Sequence, residues 1–151
     1  MNTAVDITIN APKEKVWQVI TDIKNSANTI TGIEKIEIIE NPTNSLVGFK
    51  WKETRTVFGK TSTETMWITE AEENVYYKTR AESHGAIYRT ILKITEQGNA
   101  SVLMMEFSSE AVSFKGKLLD AIFNGMLKKS MKKLLYKDLE DIKKVVEAKN
   151  L

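Results

Sequence analysis

Apolar and polar residues alternate along most of the first two thirds of the chain. At its start, Val5, Ile7 and Ile9 alternate with polar residues, which is the period of a strand buried on one face. Residues 10–12 then predict a turn into a short helix. Pro12 fits the first turn of that helix, because its missing N–H would have no hydrogen-bond partner there. The polar stretch 24–31 predicts either a second short helix or a loop. The apolar face of the first helix is expected to consist of Val16, Trp17 and Ile20.

Six further strand patterns follow between Ile33 and about Glu110, separated by clusters of turn-forming residues. A Thr-rich strand among them is expected to end at Ile68. Because the strands are consecutive and mostly joined by short turns, we expect one antiparallel sheet of seven strands. The turn signals are Asn41-Pro42-Thr43-Asn44-Ser45, Phe58-Gly59-Lys60, Glu72-Glu73-Asn74, Ser83-His84-Gly85 and Gln97-Gly98-Asn99.

The last third of the chain changes to the period of a helix. Five lysines between Lys128 and Lys137 fall on its polar face, and Ser113 is the expected N-cap. Such a helix, about thirty residues long, spans about 45 Å. The whole pattern predicts one α+β domain over residues 1–151, with the order β-α-α-β-β-β-β-β-β-α. The apolar residues at helical spacing are Phe123, Leu127, Met131, Leu134, Ile142 and Val145.

Composition and charge narrow the classes of function. Of the 151 residues, 42% are hydrophobic and 28% are charged, and a net charge of +2 is too balanced to predict a nucleic-acid partner. The absence of cysteine excludes disulfides, thiolate metal sites and cysteine nucleophiles. No signal-peptide pattern opens the chain, and no apolar run approaches the roughly 20 residues of a membrane span. We therefore expect a cytoplasmic protein.

The sequence holds no recognisable nucleophile, metal or cofactor motif. His84 is the single histidine, and it is expected in an exposed turn, with a place at a pocket mouth as the alternative. No HxxxH spacing or carboxylate cluster predicts a metal site, and the scattered glycines form no phosphate-cradling loop. We therefore expect neither a metal ion nor a cofactor.

Four groups of residues carry a resemblance to a known superfamily. They are Ile7-Thr8-Ile9-Asn10-Ala11-Pro12-Lys13-Glu14-Lys15-Val16-Trp17, Gly48-Phe49-Lys50-Trp51 with Glu53-Thr54-Arg55 and Gly59, Ile68-Thr69-Glu70, and Asp138-Leu139-Glu140-Asp141-Ile142-Lys143. Essentially the whole chain resembles the helix-grip superfamily, which includes the START domains. Within it, the chain most resembles the bacterial polyketide cyclase/dehydrase-like, lipid-transport proteins often called SRPBCC. The resemblance implies a helix-grip fold, in which the sheet curls around the long C-terminal helix and leaves an internal cavity. That fold hosts many functions.

Strand alternation assigns residues to the two faces of the expected sheet. A two-residue turn at Gly59-Lys60 places Trp51 opposite Ile68, Glu53 opposite Met66 and Arg55 opposite Glu64, with all six facing inward. A turn around Gly98 places Leu92 opposite Leu103, Thr90 opposite Met105 and Tyr88 opposite Phe107 on the inner face, and pairs Arg89 with Glu106 on the outer face.

The predicted cavity wall is aromatic and rich in methionine, with one charged corner. That corner, formed by Glu53, Arg55 and Glu64, anchors a polar ligand head, supplies a general acid or base, or is a structural ion pair at the open end of the sheet. The lysine face of the helix either meets anionic lipid or is simply solvated. The expected ligand-binding residues are Phe49, Trp51, Glu53, Arg55, Glu64, Met66, Tyr77, Tyr88, Thr90, Met105 and Phe107 from the sheet, and Ile122, Phe123 and Met126 from the helix.

Two functions are left open by the sequence. The first is a carrier or sensor that binds a small hydrophobic or amphipathic ligand, such as a lipid, an isoprenoid or an aromatic metabolite. The second, implied by the resemblance, is a polyketide cyclase/dehydrase-like enzyme in which Arg55, Glu53 or Glu64 moves protons. The lack of a nucleophile, metal or cofactor motif favours binding over catalysis, with a small hydrophobic molecule as the expected partner.

Overall fold

The computed structural model describes residues 1–57, 59–83 and 85–150, without the side chains of residues 114–127. Its helices are α1 (Lys13–Thr21), α2 (Ser26–Thr29) and α3 (Phe114–Lys149), with a 3₁₀ turn at Ile23–Asn25 before α2. Its strands are β1 (Asn2–Ile9), β2 (Ile33–Glu40), β3 (Lys50–Val57), β4 (Lys60–Glu72), β5 (Tyr76–Ser83), β6 (Ala86–Gln97) and β7 (Ala100–Ala111). The strands, the short helices after β1 and the long terminal helix confirm the predicted element order.

The strands form one antiparallel sheet in the order β1-β7-β6-β5-β4-β3-β2. Every strand pairs with its neighbour in the chain except β1, which crosses to pair with β7, so the sheet is open between β1 and β2. Helix α3 packs against β1 and β7, and it also contacts α1 and α2. We call the side of the sheet that faces α3 the inner face. This arrangement confirms the helix-grip, α+β fold class.

The spacing of apolar residues explains which faces of β1 and α1 are buried. On β1 the inner face carries Val5 and Ile9, which are 9% and 0% exposed. The buried residues of α1 are Val16, Val19 and Ile20, whereas Trp17 is half-buried at the margin of the core and packs edge-on against the ring of Tyr77 at 6.2 Å. The apolar face of α1 is therefore wider than predicted, because Val19, three residues after Val16, also belongs to it. The polar stretch that follows holds the 3₁₀ turn and α2, so the second of its alternatives, a loop, is excluded.

The β3–β4 hairpin differs from its predicted register. Val57 pairs with Lys60, so the turn is centred one residue earlier than predicted, and each β3 residue meets a β4 residue two positions earlier. Trp51 therefore lies opposite Met66, Glu53 opposite Glu64 and Arg55 opposite Ser62. Gly59 has a φ of +76°, a backbone conformation that glycine adopts without the strain that other residue types would carry, and this fixes the turn there. Because the shift is two residues, the inward face is unchanged. Strand β4 also runs past Ile68, through a bulge, to Glu72.

The β6–β7 hairpin shows the same kind of shift. Gln97 pairs with Ala100, and Gly98 takes the positive φ of +62° within the turn. Leu92 therefore lies opposite Met105, Thr90 opposite Phe107 and Tyr88 opposite Ser109. On the outer face Arg89 lies opposite Ser108, and its ion pair goes to Glu110 at 3.0 Å rather than to Glu106. The predicted pairs are wrong by two positions and the predicted faces are retained.

The hydrophobic core lies between the inner face, α1 and the second half of α3. Residues with almost no exposed surface include Ile9, Val16, Ile68, Leu103, Leu139 and Val146. Polar contacts join the turn after β1 to the end of α3 and to β7. The Asn10 backbone N–H donates to Glu147 Oε2 at 2.8 Å, and the Ser101 hydroxyl donates to the Ala11 carbonyl at 2.8 Å. These bonds hold the first turn of the chain against α3 and β7.

Candidate functional site

A cavity of about 410 Å³ lies between the inner face of the sheet, the helices α1 and α2, and the helix α3. Its floor is formed by residues from β3 to β7, and its roof by α3 side chains that include Met131, Leu134 and Leu135. The segment from α1 to β2 adds one side wall, with Ile20, Ile23 and others. Most of these side chains are aliphatic, aromatic or thioether groups. The cavity is therefore a largely apolar space within the domain.

The structure brings most of the sequence-predicted site residues together in this wall. Phe49 is the exception among the described ones, because it lies beyond Trp51, packs against that ring at 5.8 Å and lines a separate depression beside Trp17. The predicted residues Ile122, Phe123 and Met126 lie outside the described side chains, as does the predicted turn residue His84. The predicted residues found in the wall are Trp51, Glu53, Arg55, Glu64, Met66, Tyr77, Tyr88, Thr90, Met105 and Phe107.

Several wall residues escaped the sequence interpretation. The stretch between α1 and β2 is predicted as a short helix or a loop with no residue in the cavity wall, yet it supplies Ile23 and Ile30, and Ile33 follows at the start of β2. Asp138 on α3 was also missed, although a signal existed. It stands between Leu135 and Leu139 on the apolar side of the helix, and a carboxylate at such a position predicts a buried partner. The partner itself is distant in sequence and could not be inferred from local pattern.

That partner is Arg55, which joins the sheet to the helix. Its Nε donates to Glu53 Oε2 at 2.7 Å, and its Nη1 and Nη2 donate to Asp138 Oδ1 and Oδ2 at 3.3 and 2.9 Å. The Trp51 indole N–H donates to the second Glu53 oxygen at 3.3 Å. The Arg55, Glu53 and Asp138 side chains are only 20%, 12% and 5% exposed. A bidentate pair of this kind fixes the orientation of both groups.

Glu64 has a different place from the one predicted. It lies opposite Glu53 on the inner face and lines the cavity, while the ion pairs of Arg55 that the structure describes go to Glu53 and Asp138. Within the described residues, the side chain of Glu64 makes no hydrogen bond or ion pair. The predicted triad of Glu53, Arg55 and Glu64 is therefore replaced by a triad of Glu53, Arg55 and Asp138, with Glu64 beside it.

The environment sets the protonation of this cluster. Burial disfavours the charged guanidinium of Arg55, but the Glu53 and Asp138 carboxylates outweigh it, so its pKa is raised. Burial also raises the pKa of Asp138, and the opposing attraction of Arg55 does not fully cancel it. Arg55 therefore stays protonated, which excludes it as a general base. Its charge holds the two carboxylates in place.

A second anchor holds the segment beside the cavity. The Asp141 carboxylate on α3 accepts bonds from the amide and hydroxyl of Thr31, both at 2.9 Å, and pairs with Lys137 at 2.5 Å. Burial alone would raise the pKa of Asp141, but these contacts lower it. The next residue, Gly32, runs so close to Arg55 that a Cβ there would lie 3.4 Å from Nη1. Asp138 and Asp141 thus position both β3 and the α2–β2 connection.

The Tyr77 hydroxyl contributes a neutral polar group to the cavity wall. It donates to the Ile20 carbonyl at 3.0 Å and is buried. Burial, followed by the nearby Glu53 carboxylate, raises the pKa of Tyr77, so the hydroxyl keeps its proton. The bond fixes α1 to β5 at one side of the cavity.

Replacing Tyr77 with phenylalanine tests this bond. We expect Tyr77→Phe to lower the free energy of unfolding by about 1–3 kcal/mol, because the Ile20 carbonyl is left buried without that donor. Urea unfolding measures the change. The neighbouring Tyr76→Phe is the matched control, because the Tyr76 hydroxyl bonds Glu70 at the exposed surface. Tyr76→Phe should therefore lower the free energy of unfolding by less than Tyr77→Phe does. Equal losses in the two variants would contradict the assignment.

Comparisons with known proteins agree with this architecture. The family model for polyketide cyclase / dehydrase and lipid transport matches residues 2–147. A search of curated proteins gives no match. Within the described residues, no helix has the length and apolarity needed to cross a membrane.

Solved structures share the fold at low sequence identity. A protein from Thermus thermophilus aligns over 100% of both chains with a TM-score of 0.83 and 13% identity. The Zhui aromatase/cyclase from a Streptomyces species gives a TM-score of 0.80 at 18% identity over 100% of this chain and 96% of that one. A START superfamily protein from Mycobacterium smegmatis gives 0.70 at 14% identity, over 98% and 95% of the two chains. At these identities the likeness establishes the fold alone.

Proposed function

Because the chain belongs to the polyketide cyclase / dehydrase and lipid transport family, as its resemblance predicted, we propose that it binds one small hydrophobic or amphipathic ligand as a carrier or sensor. The observation that carries the proposal is the cavity of about 410 Å³ between sheet and helix. Its volume lies in the range of small-molecule pockets, roughly 300–1,000 Å³. Its wall combines a large apolar area with a few fixed polar groups, which suits a lipid, an isoprenoid or an aromatic metabolite.

Burial of the apolar body of the ligand would supply most of the affinity. Each 100 Å² of ligand surface removed from water contributes about 2.5 kcal/mol, against which the lost freedom of the ligand costs at least about 4 kcal/mol. The cavity wall is already held in place by the Arg55 cluster and by the Tyr77 bond to α1. A wall fixed in this way loses little further entropy when the ligand enters, which supports binding.

Extraction of the purified protein tests the proposal directly. Native mass spectrometry before and after organic extraction should show a small apolar molecule that leaves with the extract. Binding of the neutral fluorophore N-phenyl-1-naphthylamine provides a second test that needs no retained ligand. Absence of a retained molecule together with absence of fluorophore binding would contradict the proposal.

Filling the cavity from its floor should abolish binding. Met105 on β7 is 5% exposed and lines the cavity, so the indole of Met105→Trp would occupy space that the ligand needs. We expect the Kd for N-phenyl-1-naphthylamine to rise at least about tenfold, which corresponds to about 1.4 kcal/mol of binding free energy. The matched control is Met104→Trp, the same change one residue earlier on the outer face of β7. An unchanged Kd in a folded Met105→Trp protein would place the ligand elsewhere.

One observation favours a second candidate function, a cyclase- or dehydrase-like enzyme. The Glu64 carboxylate lines the cavity without a hydrogen bond or ion pair to any described residue, so it is available to move protons in a bound substrate. Arg55 is excluded as the base by its raised pKa, and Glu53 is engaged by Arg55 and Trp51. Turnover of a reactive polyketide chain that is lost in Glu64→Gln, with fluorophore binding retained, would favour the enzyme over the carrier.

A further inference from the structure

The charges that line the cavity are unequal in sign. Among the described lining residues the ionisable acids are Glu53, Glu64 and Asp138, and the one cationic side chain is Arg55. No lysine or histidine is part of this described wall. This described part of the wall therefore presents more negative than positive charge to whatever occupies the cavity.

The positive charge of Arg55 is already matched from within the protein. Its Nε bonds Glu53 and its two Nη atoms bond Asp138 in a bidentate pair. A ligand carboxylate approaching Arg55 would have to displace a carboxylate that is 12% or 5% exposed, or share the guanidinium beside two like charges. Either course adds the desolvation of a further carboxylate and its repulsion by Glu53 and Asp138. The cluster therefore disfavours an anionic head group.

Glu64 provides the complementary attraction. It stands directly opposite Glu53 on adjacent strands, where two like charges destabilise each other. Arg55 compensates Glu53, while Glu64 has no ion pair within the part of the chain that the structure describes. A cation placed in the cavity beside Glu64 would relieve this repulsion and would gain a charge-assisted hydrogen bond. Two other donors in the cavity wall, the Trp51 indole and the Tyr77 hydroxyl, are already engaged with Glu53 and Ile20.

We propose that the cavity selects an amphipathic ligand with a protonated amine head, which the Glu64 carboxylate receives while the apolar body fills the space below α3. The inference rests on the proposed binding function and specifies the chemical class of the ligand. Neutral heads that donate a hydrogen bond, such as alcohols, bind more weakly, and carboxylate heads bind most weakly of the three.

Three probes with one apolar body test the selection. Decylamine, decanol and decanoate are used to displace N-phenyl-1-naphthylamine at pH 7, where the amine is protonated and the acid is ionised. We expect decylamine to bind at least about tenfold more tightly than decanoate, with decanol between them. In Glu64→Gln the ratio of amine to carboxylate affinity should fall to below about threefold, while decanol binding stays unchanged.

The control removes the same charge outside the cavity. Glu72 is exposed at the end of β4, so Glu72→Gln should keep the wild-type preference for the amine. Decanoate binding as tightly as decylamine, or an unchanged ratio in Glu64→Gln, would overturn the amine selection while leaving the binding function standing. If organic extraction releases no retained molecule and N-phenyl-1-naphthylamine binds to neither the folded wild type nor the folded variant, the binding function fails and the selection fails with it.

Discussion

Replacing Arg55 with methionine should lower the free energy of unfolding by about 3–5 kcal/mol at pH 7. The side chains of Asp138 and Glu53 are 5% and 12% exposed, and without Arg55 both keep their burial and lose their counterion. Methionine retains most of the apolar stem of arginine, so the decrease in the free energy of unfolding reports the missing charge rather than lost packing. Urea or thermal unfolding followed by circular dichroism gives the value. A second change, Arg55→Met with Asp138→Asn, should recover part of the stability because one uncompensated charge is removed.

The loss in Arg55→Met should also depend on pH in a defined direction. Burial already raises the pKa of Asp138, and removal of Arg55 takes away the interaction that lowers it. An acid whose pKa is higher in the folded than in the unfolded protein destabilises the fold where it is ionised. This penalty therefore shrinks as the pH falls through the folded-state pKa. The difference between variant and wild type should be smaller near pH 4.5 than at pH 7.

An exposed arginine provides the control for both measurements. Arg80 pairs with Glu82 on the sheet surface, where the two side chains are 34% and 52% exposed. Arg80→Met should therefore cost less than about 1 kcal/mol. A similar small loss in Arg55→Met, without pH dependence, would show that the cluster contributes no more than a surface pair.

Truncation of Leu139 should lower the free energy of unfolding about as much as Arg55→Met does, but through packing alone. Leu139 is 0% exposed and lies in the core cluster on the side of α3 that faces the sheet. We expect Leu139→Ala to lower the free energy of unfolding by about 2–5 kcal/mol, from lost burial and the space left behind. Helix propensity changes little, because leucine and alanine are both strong helix formers.

The adjacent residue supplies the matched control for Leu139. Glu140 is exposed on the same helix, so Glu140→Ala should change stability by no more than about 0.5 kcal/mol. Because the cost in Leu139→Ala comes from packing, its difference from wild type should persist between pH 4.5 and pH 7, unlike that of Arg55→Met. A loss below about 1 kcal/mol in Leu139→Ala would contradict the packing of α3 against the sheet.

Local patterns in the sequence were sufficient to predict the elements and the inward faces. Alternation in β1 and helical spacing in α3 depend on neighbouring residues, which is why both were predicted correctly. The register of the two hairpins was harder to predict from the sequence, because it depends on which residue of each turn takes a positive φ. Gly59 and Gly98 each fixed a turn one position away from the one expected, and the inner faces persisted only because each pairing moved by two residues.

The charged cluster shows where local reasoning stops. Glu53 and Arg55 are two residues apart on one strand, so their common face follows from strand period. Asp138 lies 83 residues from Arg55, and only the packing of α3 brings the two side chains together. Pairing Arg55 with Glu64 was a reasonable consequence of the assumed register and failed with it. The isoleucines of the α1–β2 segment were not assigned to the cavity wall for a related reason, since they are isolated and follow no period.

The bonds between the turn after β1 and the rest of the chain have a consequence for the folding rate. Asn10 and Glu147 are 137 positions apart, and Ser101 and Ala11 are 90 apart. Contacts this distant in sequence slow folding, because the entropy of closing long loops is lost before the contacts form. During synthesis, β1 emerges long before its partner strand β7 and before α3. We therefore expect the inner face to stay open until late in translation, so that the cavity is completed only when β7 and α3 close over it.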